Sequence, residues 1–234
     1  MGKTAVISDI HSNIYALEAV LQDIQKRKNI DEIICLGDVV GYYPYPNECI
    51  DLVKENCSLT LLGNHDAGVI QSEPQFCFNP TAWEMIVYTQ ENITKKNYDW
   101  LTSLPRKRVL EKNKKKMYLV HGSPFSTFDY FHANSKKSYI SMLEEAYEKI
   151  KTNFLMVGHT HMPVIVKTKK ITFVNPGAVG QPRHGVPGAN YAIVDLSSSK
   201  ATLIHLDYDF SPLQEHMKKL KLPKSLIDRL DKGI

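Results

Sequence analysis

Short apolar runs that stop at polar, glycine-containing turns recur along this chain, and between the first of them lie segments of helical period. Thr4-Ala5-Val6-Ile7 reads as a strand and runs into Ser8-Asp9-Ile10-His11-Ser12-Asn13. Leu17, Val20, Leu21 and Ile24 follow at the spacing of one helix face, with Lys26, Arg27 and Lys28 closing the last turn, where a helix favours cations. A second apolar strand near Glu32 to Leu36 delivers Asp38. After the aromatic loop Tyr42-Tyr43-Pro44-Tyr45-Pro46 a helix is expected from about Asn47 to Asn56, and a third strand, Ser58 to Leu62, ends in Gly63-Asn64-His65-Asp66. Strand and helix in alternation are the pattern of a parallel βαβ sheet.

The middle is helical. Asn79-Pro80 reads as an N-cap with proline in the first turn, and helices are expected over Thr81 to Asn92 and Asn97 to Leu104. Arg108 to Leu110 and Met117 to Val120 flank a lysine-rich turn as a hairpin that ends at His121-Gly122. An amphipathic helix from about Ser138 to Lys151 places Ile140, Leu143, Tyr147 and Ile150 on one side. Phe154 to Val157 is a buried strand ending in Gly158-His159-Thr160-His161. Hairpins follow: Val164 to Val166 with Ile171 to Val174, and Tyr191 to Asp195 with Thr202 to Leu206. The C-terminal residues read as one or two surface helices broken at Pro223. A single domain over 1–234 is expected, with a helical segment about 73–105 and a helical tail about 211–234.

Composition narrows the class. At 43% apolar and 23% charged, 234 residues can bury a full core. A net charge of +4 is too mild to demand a nucleic-acid or membrane partner, and the lysine clusters read as solvated turns and helix faces. Cys35, Cys49, Cys57 and Cys77 form no C-x-x-C pair, which reads as reduced thiols in a cytoplasmic protein. No signal peptide is expected, because the first strand begins at about Lys3, and no apolar run reaches the roughly 18 residues of a membrane span. Val6 stands where a myristoylation site wants Ser or Thr, and the sequon Asn92-Ile93-Thr94 is idle in such a compartment.

The candidate chemistry sits where the strands end. Asp9 and His11, Asp38, Asn64 and His65, His121, and His159 and His161 each follow an apolar run, so that five of nine histidines fall in these turns. Each element alone is weak, and the strength lies in the joint pattern. Open α/β sheets bind ligands outside the carboxyl ends of their strands. A mixed Asp/Asn/His set suits Mn, Fe, Co, Ni or Zn rather than thiophilic ions. In an extended segment, residues two apart point to one side, so Asp9/His11 and His159/His161 can each face one centre.

Asp9-Ile10-His11, Gly37-Asp38-Val39-Val40-Gly41, Gly63-Asn64-His65-Asp66, Val120-His121-Gly122 and Gly158-His159-Thr160-His161 resemble, block by block and in order, the motifs of the calcineurin-like metallophosphoesterases. Asp9 to Asn13, Gly41-Tyr42 with Pro46-Asn47-Glu48, and Asn175-Pro176-Gly177 with Gln181-Pro182-Arg183 look like its small bacterial and archaeal phosphodiesterase branch. The resemblance implies an α/β fold, a four-layer αββα sandwich of mixed β-sheets flanked by helices. It implies two divalent metal ions, drawn from Mn, Fe, Ni, Zn or Mg. One would be held by Asp9, His11, Asp38 and His161 and the other by Asp38, Asn64, His121 and His159, with Asp38 bridging. Such ions lie about 3.5–4 Å apart and generate a bridging hydroxide that attacks phosphorus in line. His65 would protonate the leaving oxygen, and Asp66 would hold its ring. The substrate would be a small phosphoester, a nucleotide among the candidates. Phosphodiester hydrolysis is the favoured activity, with phosphomonoesters or dinucleoside polyphosphates as the alternative. A regulatory scaffold of the same fold is a reading from another class. The full ligand set and His65 favour an enzyme.

The chain departs from the protein phosphatases of that superfamily, which carry Arg soon after the bridging Asp. Here Val40-Gly41-Tyr42 stands instead, which argues against phosphoproteins as the main substrate. Arg183 is either a surface residue of a tight turn or a stand-in for that clamp, next to Asn64 as a substrate-binding residue. Ala178 stands where the branch often has Ser. Tyr42, Tyr43, Tyr45, Phe125, Phe128, Tyr130 and Phe131 lie beside the ligand turns, where covering the sheet edge is the favoured reading and a platform for a nucleobase the other.

Overall fold

β1 (Lys3–Ile7) alternates its buried side chains between two cores, and that alternation sets up the layers. Val6 packs inward with Ile34, Met117, Phe154 and Val174, while Ala5 and Ile7 face the opposite side with Leu17, Val20 and Ile50. The computed structural model describes residues 2–234. One sheet runs in the order β10 (Lys200–Leu206), β9 (Ala189–Asp195), β1, β2 (Ile30–Cys35) and β3 (Leu59–Thr60). The other runs β4 (Lys107–Lys112), β5 (Lys115–Val120), β6 (Phe154–Met156), β8 (Thr172–Asn175) and β7 (Val164–Lys167).

Each sheet has a parallel run: β1, β2 and β3 reach one edge of the first, with antiparallel β9 and β10 on the other side, and β5, β6 and β8 form the centre of the second, with antiparallel β4 and β7 outside them. Helices α1 (Ile14–Lys26) and α2 (Pro46–Asn56) cover the first sheet, and α6 (Lys136–Ile150) covers the second. The result is helix, sheet, sheet, helix, the four layers expected. Phe154 is fully buried between the sheets, where Phe→Ala substitutions typically cost 3–5 kcal/mol. Phe154→Ala is therefore expected to lower the urea unfolding free energy by about that much; a loss below about 1 kcal/mol would mean the core closes over the gap.

Helix positions follow local rules. The Asn13 side chain accepts from the Ala16 amide and starts α1, and Asn79 accepts from Ala82 ahead of α4 (Pro80–Asn92). Thr94 caps α5 (Lys95–Thr102) in the same way. No helix among the described residues is long and apolar enough to cross a membrane.

Three expectations need correction. The third strand is only Leu59–Thr60, and Asn64 opens α3 (Asn64–Val69) instead of lying in a turn, because the Asp66 carboxylate accepts from the Gly63 amide and caps that helix. On α6 the deeply buried residues are Tyr139, Leu143 and Ala146, with Ile140, Tyr147 and Ile150 on its flank; the Tyr139 hydroxyl can enter because His132 Nδ1 lies 3.1 Å from it. The tail is not merely superficial. Helices α7 (Ser211–Lys219) and α8 (Lys224–Lys232) bury Leu213, Met217, Leu226 and Leu230 against Tyr42, Tyr43 and Met85.

Candidate metal centre

The loops leaving β1, β2, β5 and β6 are sewn together by their own backbones. Ile10 and His11 amides donate to the Asp38 carbonyl at 2.8 and 3.0 Å, Gly158 donates to the His121 carbonyl at 2.8 Å, and Gly180 donates to the Asp9 carbonyl at 2.9 Å. Asp9, His11, Asp38, His159 and His161 all take left-handed backbone conformations, with φ between 53° and 64°. Such a conformation costs a non-glycine residue roughly 1–2 kcal/mol, and that strain is concentrated at the site. The extended geometry expected for the Asp9/His11 and His159/His161 pairs is therefore replaced by tight turns, which still aim both members of each pair at one centre.

Asp9, His11, Asp38 and His161 offer four donor atoms within 4.8 Å of one another, and Asp38, His121 and His159 form a second group of three as close. Asp38 belongs to both groups. Asn64 joins the second, its Oδ1 lying 3.2 Å from His121 Nε2. All seven predicted ligand residues thus converge.

Their chemistry fits divalent cations. His11 Nδ1 faces the Val40 carbonyl at 3.2 Å, His121 Nδ1 faces that of Leu36 at 3.0 Å, and His161 Nδ1 faces that of Gln181. Donating there leaves each Nε2 as a lone pair turned inward. His11 Nε2 and His161 Nε2 then oppose each other at 3.1 Å, which is repulsive unless a cation or a proton lies between them. Asp38 Oδ1 accepts from the His65 amide at 2.8 Å, but its buried Oδ2 has no hydrogen-bond partner. Two buried carboxylates meet here, and among the described residues no lysine or arginine lies within ion-pair distance of either.

The proton energetics agree. Burial alone would raise the Asp9 carboxyl, yet His161 and His121 beside it hold it well below the usual range. Burial would lower His121, but the Asp38 carboxylate overrides this and pushes it up to about 9. Both shifts mark a site that demands positive charge, which divalent ions supply in place of protons.

His65 is 4% exposed and lies at the cavity, packed edge-on against His11 and Phe78. Its Nδ1 has no partner and backs onto Gly41, where φ is +99° and a Cβ would come within 2.6 Å of that nitrogen. The expected support from Asp66 is not made. Both Asp66 oxygens accept backbone amides, Oδ1 from Val40 at 3.0 Å and Oδ2 from Gly63 at 2.9 Å, because the carboxylate caps α3 and ties it to the Asp38 loop. Burial lowers His65 to about 4, with Asp38 opposing and Arg183 reinforcing the shift. Burial and the Asp38 charge push Asp66 up to about 7.

A cavity of about 610 Å³ opens over this centre, lined by Asp38, Asn64, His65, His159, His161 and Arg183 among others. Arg183 reaches the Tyr42 and Tyr130 hydroxyls and the Gln181 amide oxygen, at 3.3–3.4 Å. The aromatic residues divide. Tyr43 and Phe131 are core, Tyr42 is buried yet borders the cavity, and Phe128 and Tyr130 line it, Tyr130 stacking on the His159 ring at 4.2 Å. Phe78, Glu73 and Arg229 also line the cavity and were not anticipated. None sits in a motif, and Arg229 reads only as the polar side of an amphipathic tail helix.

Residues 3–199 match the calcineurin-like phosphoesterase superfamily domain. The chain is 36% identical to the uncharacterised protein MJ0912 of Methanocaldococcus jannaschii, over 98% of this chain and 97% of that one. It superposes on a metallophosphoesterase from Sphaerobacter thermophilus with a TM-score of 0.83 and 32% identity, over 100% and 99% of the two chains. It is also 24% identical to the phosphodiesterase YfcE of Escherichia coli K12, over 83% of this chain and 88% of that one. The chain belongs to the calcineurin-like phosphoesterase superfamily, and it is a phosphoric ester hydrolase with a buried Asp/His cluster suited to divalent metal.

Proposed function

We propose that the chain is a phosphodiesterase that works with two divalent ions and cleaves a small phosphodiester, with residues 1–234 acting as one catalytic unit. The observation that carries this is Asp38, shared between two groups of buried donors at the floor of an open cavity. Asp9, His11, Asp38 and His161 would hold one ion, and Asp38, Asn64, His121 and His159 the other. When bound, the ions supply Lewis acidity and an activated water. The protein does the rest. The three Nδ1-to-carbonyl contacts fix the inward Nε2 atoms of His11, His121 and His161. Asp66 holds the Asp38 loop against α3 and so acts as a positioning residue. Arg183, which donates to hydroxyl and amide oxygens and has no carboxylate within ion-pair distance among the described residues, is free to hold a phosphate oxygen of the substrate beside the centre. His65 lies at the cavity edge, where an ester oxygen would leave. The four free cysteines suit the reducing cytoplasm.

Metal-stripped protein reconstituted with Mn, Ni, Zn or Mg tests the reading, with bis-p-nitrophenyl phosphate measured against p-nitrophenyl phosphate. Diester turnover that requires added metal and exceeds monoester turnover is expected. A monoester preference would make the chain a phosphatase. Two ions bound per chain without turnover would make it a metal-binding scaffold.

A further inference from the structure

The segment matched to the superfamily ends at residue 199, yet α8, beyond it, carries a cation to the cavity wall. Arg229 Cζ lies 5.8 Å from the centroid of the Tyr42 ring, and the hydroxyl of that ring accepts from Arg183 Nη2 at 3.3 Å. Two guanidiniums therefore flank one phenol, and both line the cavity.

Neither stands in an ion pair among the described residues, although the Asp9 carboxylate acts on Arg183 from farther away. Arg27 and Arg106 pair with Asp23 and Glu73 at 2.7 and 3.2 Å. Arg183 bonds only to uncharged oxygens, and Arg229 has no carboxylate within ion-pair distance among the described residues. Across the cavity, Glu73 is committed to Arg106, and Asp129 stands exposed at the rim. Half-buried, unpaired cations are costly unless a ligand offsets the lost hydration. Two in one concave wall concentrate anions there, and the guanidinium fork matches the oxygens of a phosphate.

The pair is also held in place. Leu226 and Leu230 anchor α8 in the core beside Tyr42. Gly233 ends the helix at φ +64°, so close to the Val186 backbone that a Cβ would lie 2.3 Å from it, and its carbonyl accepts from the Gly185 amide at 2.9 Å. The turn that carries Arg183 and the helix that carries Arg229 are thus fastened to each other.

We infer that Arg229 and Arg183 form a second anion subsite beside the hydrolytic centre, one that receives a phosphate group additional to the scissile one. This rests on the phosphodiesterase reading and narrows its substrate class to diesters bearing a further phosphate, linked through an ester or an anhydride.

Calorimetry on metal-loaded protein tests it with two pairs of probes: thymidine 5′-monophosphate against thymidine 3′,5′-bisphosphate, and adenosine 5′-monophosphate against the 5′-diphosphate. In the wild type, the second phosphate should strengthen binding at least about tenfold in one pair, and that pair identifies the linkage. Arg229→Gln should lose most of this increment, with a smaller change for the single-phosphate probe. Arg229→Lys, which keeps the stem over Tyr42 and one positive charge, should retain part of it and serves if the Gln variant unfolds. An arginine that merely supports the fold would shift both members of a pair equally, and that result would overturn the proposal. So would a wild type with no increment in either pair. Because binding is read, not turnover, an increment seen in protein inert toward bis-p-nitrophenyl phosphate would sustain the subsite and overturn the diesterase reading alone.

Discussion

Asp38→Asn is expected to leave a folded protein that has lost metal and with it roughly 10³-fold or more of its diester turnover, since charge stabilisation by bound metal is worth several kcal/mol and each 1.4 kcal/mol is about tenfold. The substitution is isosteric, and Asn Oδ1 can still accept the His65 amide that Asp38 Oδ1 accepts at 2.8 Å. The α3 N-terminus should therefore stay in place. What changes is the other atom. Asp38 Oδ2 lies 3.2 Å from His121 Nε2 and 3.6 Å from His11 Nε2, and it has no hydrogen-bond donor. An amide nitrogen there turns a shared anionic donor into a hydrogen-bond donor facing two lone pairs. Both donor groups lose their common member. Metal analysis after gel filtration should read well under two ions per chain, with a circular dichroism spectrum like that of the wild type. Full metal content in that variant would show that Asp38 is not shared between the ions.

The positions of the candidate ligands could be read from the chain because each follows an apolar run, and a run long enough to bury a strand also fixes which edge of the sheet its end reaches. Asp9 after Ile7 and His159 after Val157 needed no more than that. The conformation of those turns could not be read. Asp, His and Ser are not glycine, and nothing in Asp9-Ile10-His11-Ser12 announces three left-handed residues, in a turn whose Ile10, His11 and Ser12 amides donate to the Asp38 and Val39 carbonyls. Asp66 illustrates a second blind spot. Beside a histidine it suggests a side-chain pair, but a carboxylate at the third position of a helix competes for the capping amide and wins it here. Arg229 illustrates a third. Its helix has an ordinary apolar stripe, and only packing against Tyr42 and Tyr43, far away in sequence, shows that its polar side meets the cavity.

On the two-ion reading proposed above, His65→Ala should reduce kcat by roughly 10²–10⁴-fold without loss of bound metal. The loss should be smallest for p-nitrophenolate esters, which need little help in leaving. The pH dependence distinguishes how the ring acts. Burial first, and then Arg183, hold His65 at about 4 against the pull of Asp38. A group lowered this far is protonated only below that value, so between pH 6 and 9 the ring is neutral, and bound cations can only lower it further. Its Nδ1 is enclosed against Gly41 without a partner, which leaves Nε2 as the edge toward the cavity. A neutral ring with Nε2–H would donate a hydrogen bond to the departing oxygen and keep its own proton, the released alkoxide taking its proton from water. The ratio of wild-type to His65→Ala kcat should then stay within about threefold from pH 6 to 9. A ratio falling tenfold per pH unit across that range would show that the imidazolium is the working form, with its pKa still below 6 when substrate is bound. Metal loss from the variant would make His65 a ligand and overturn its place at the leaving group.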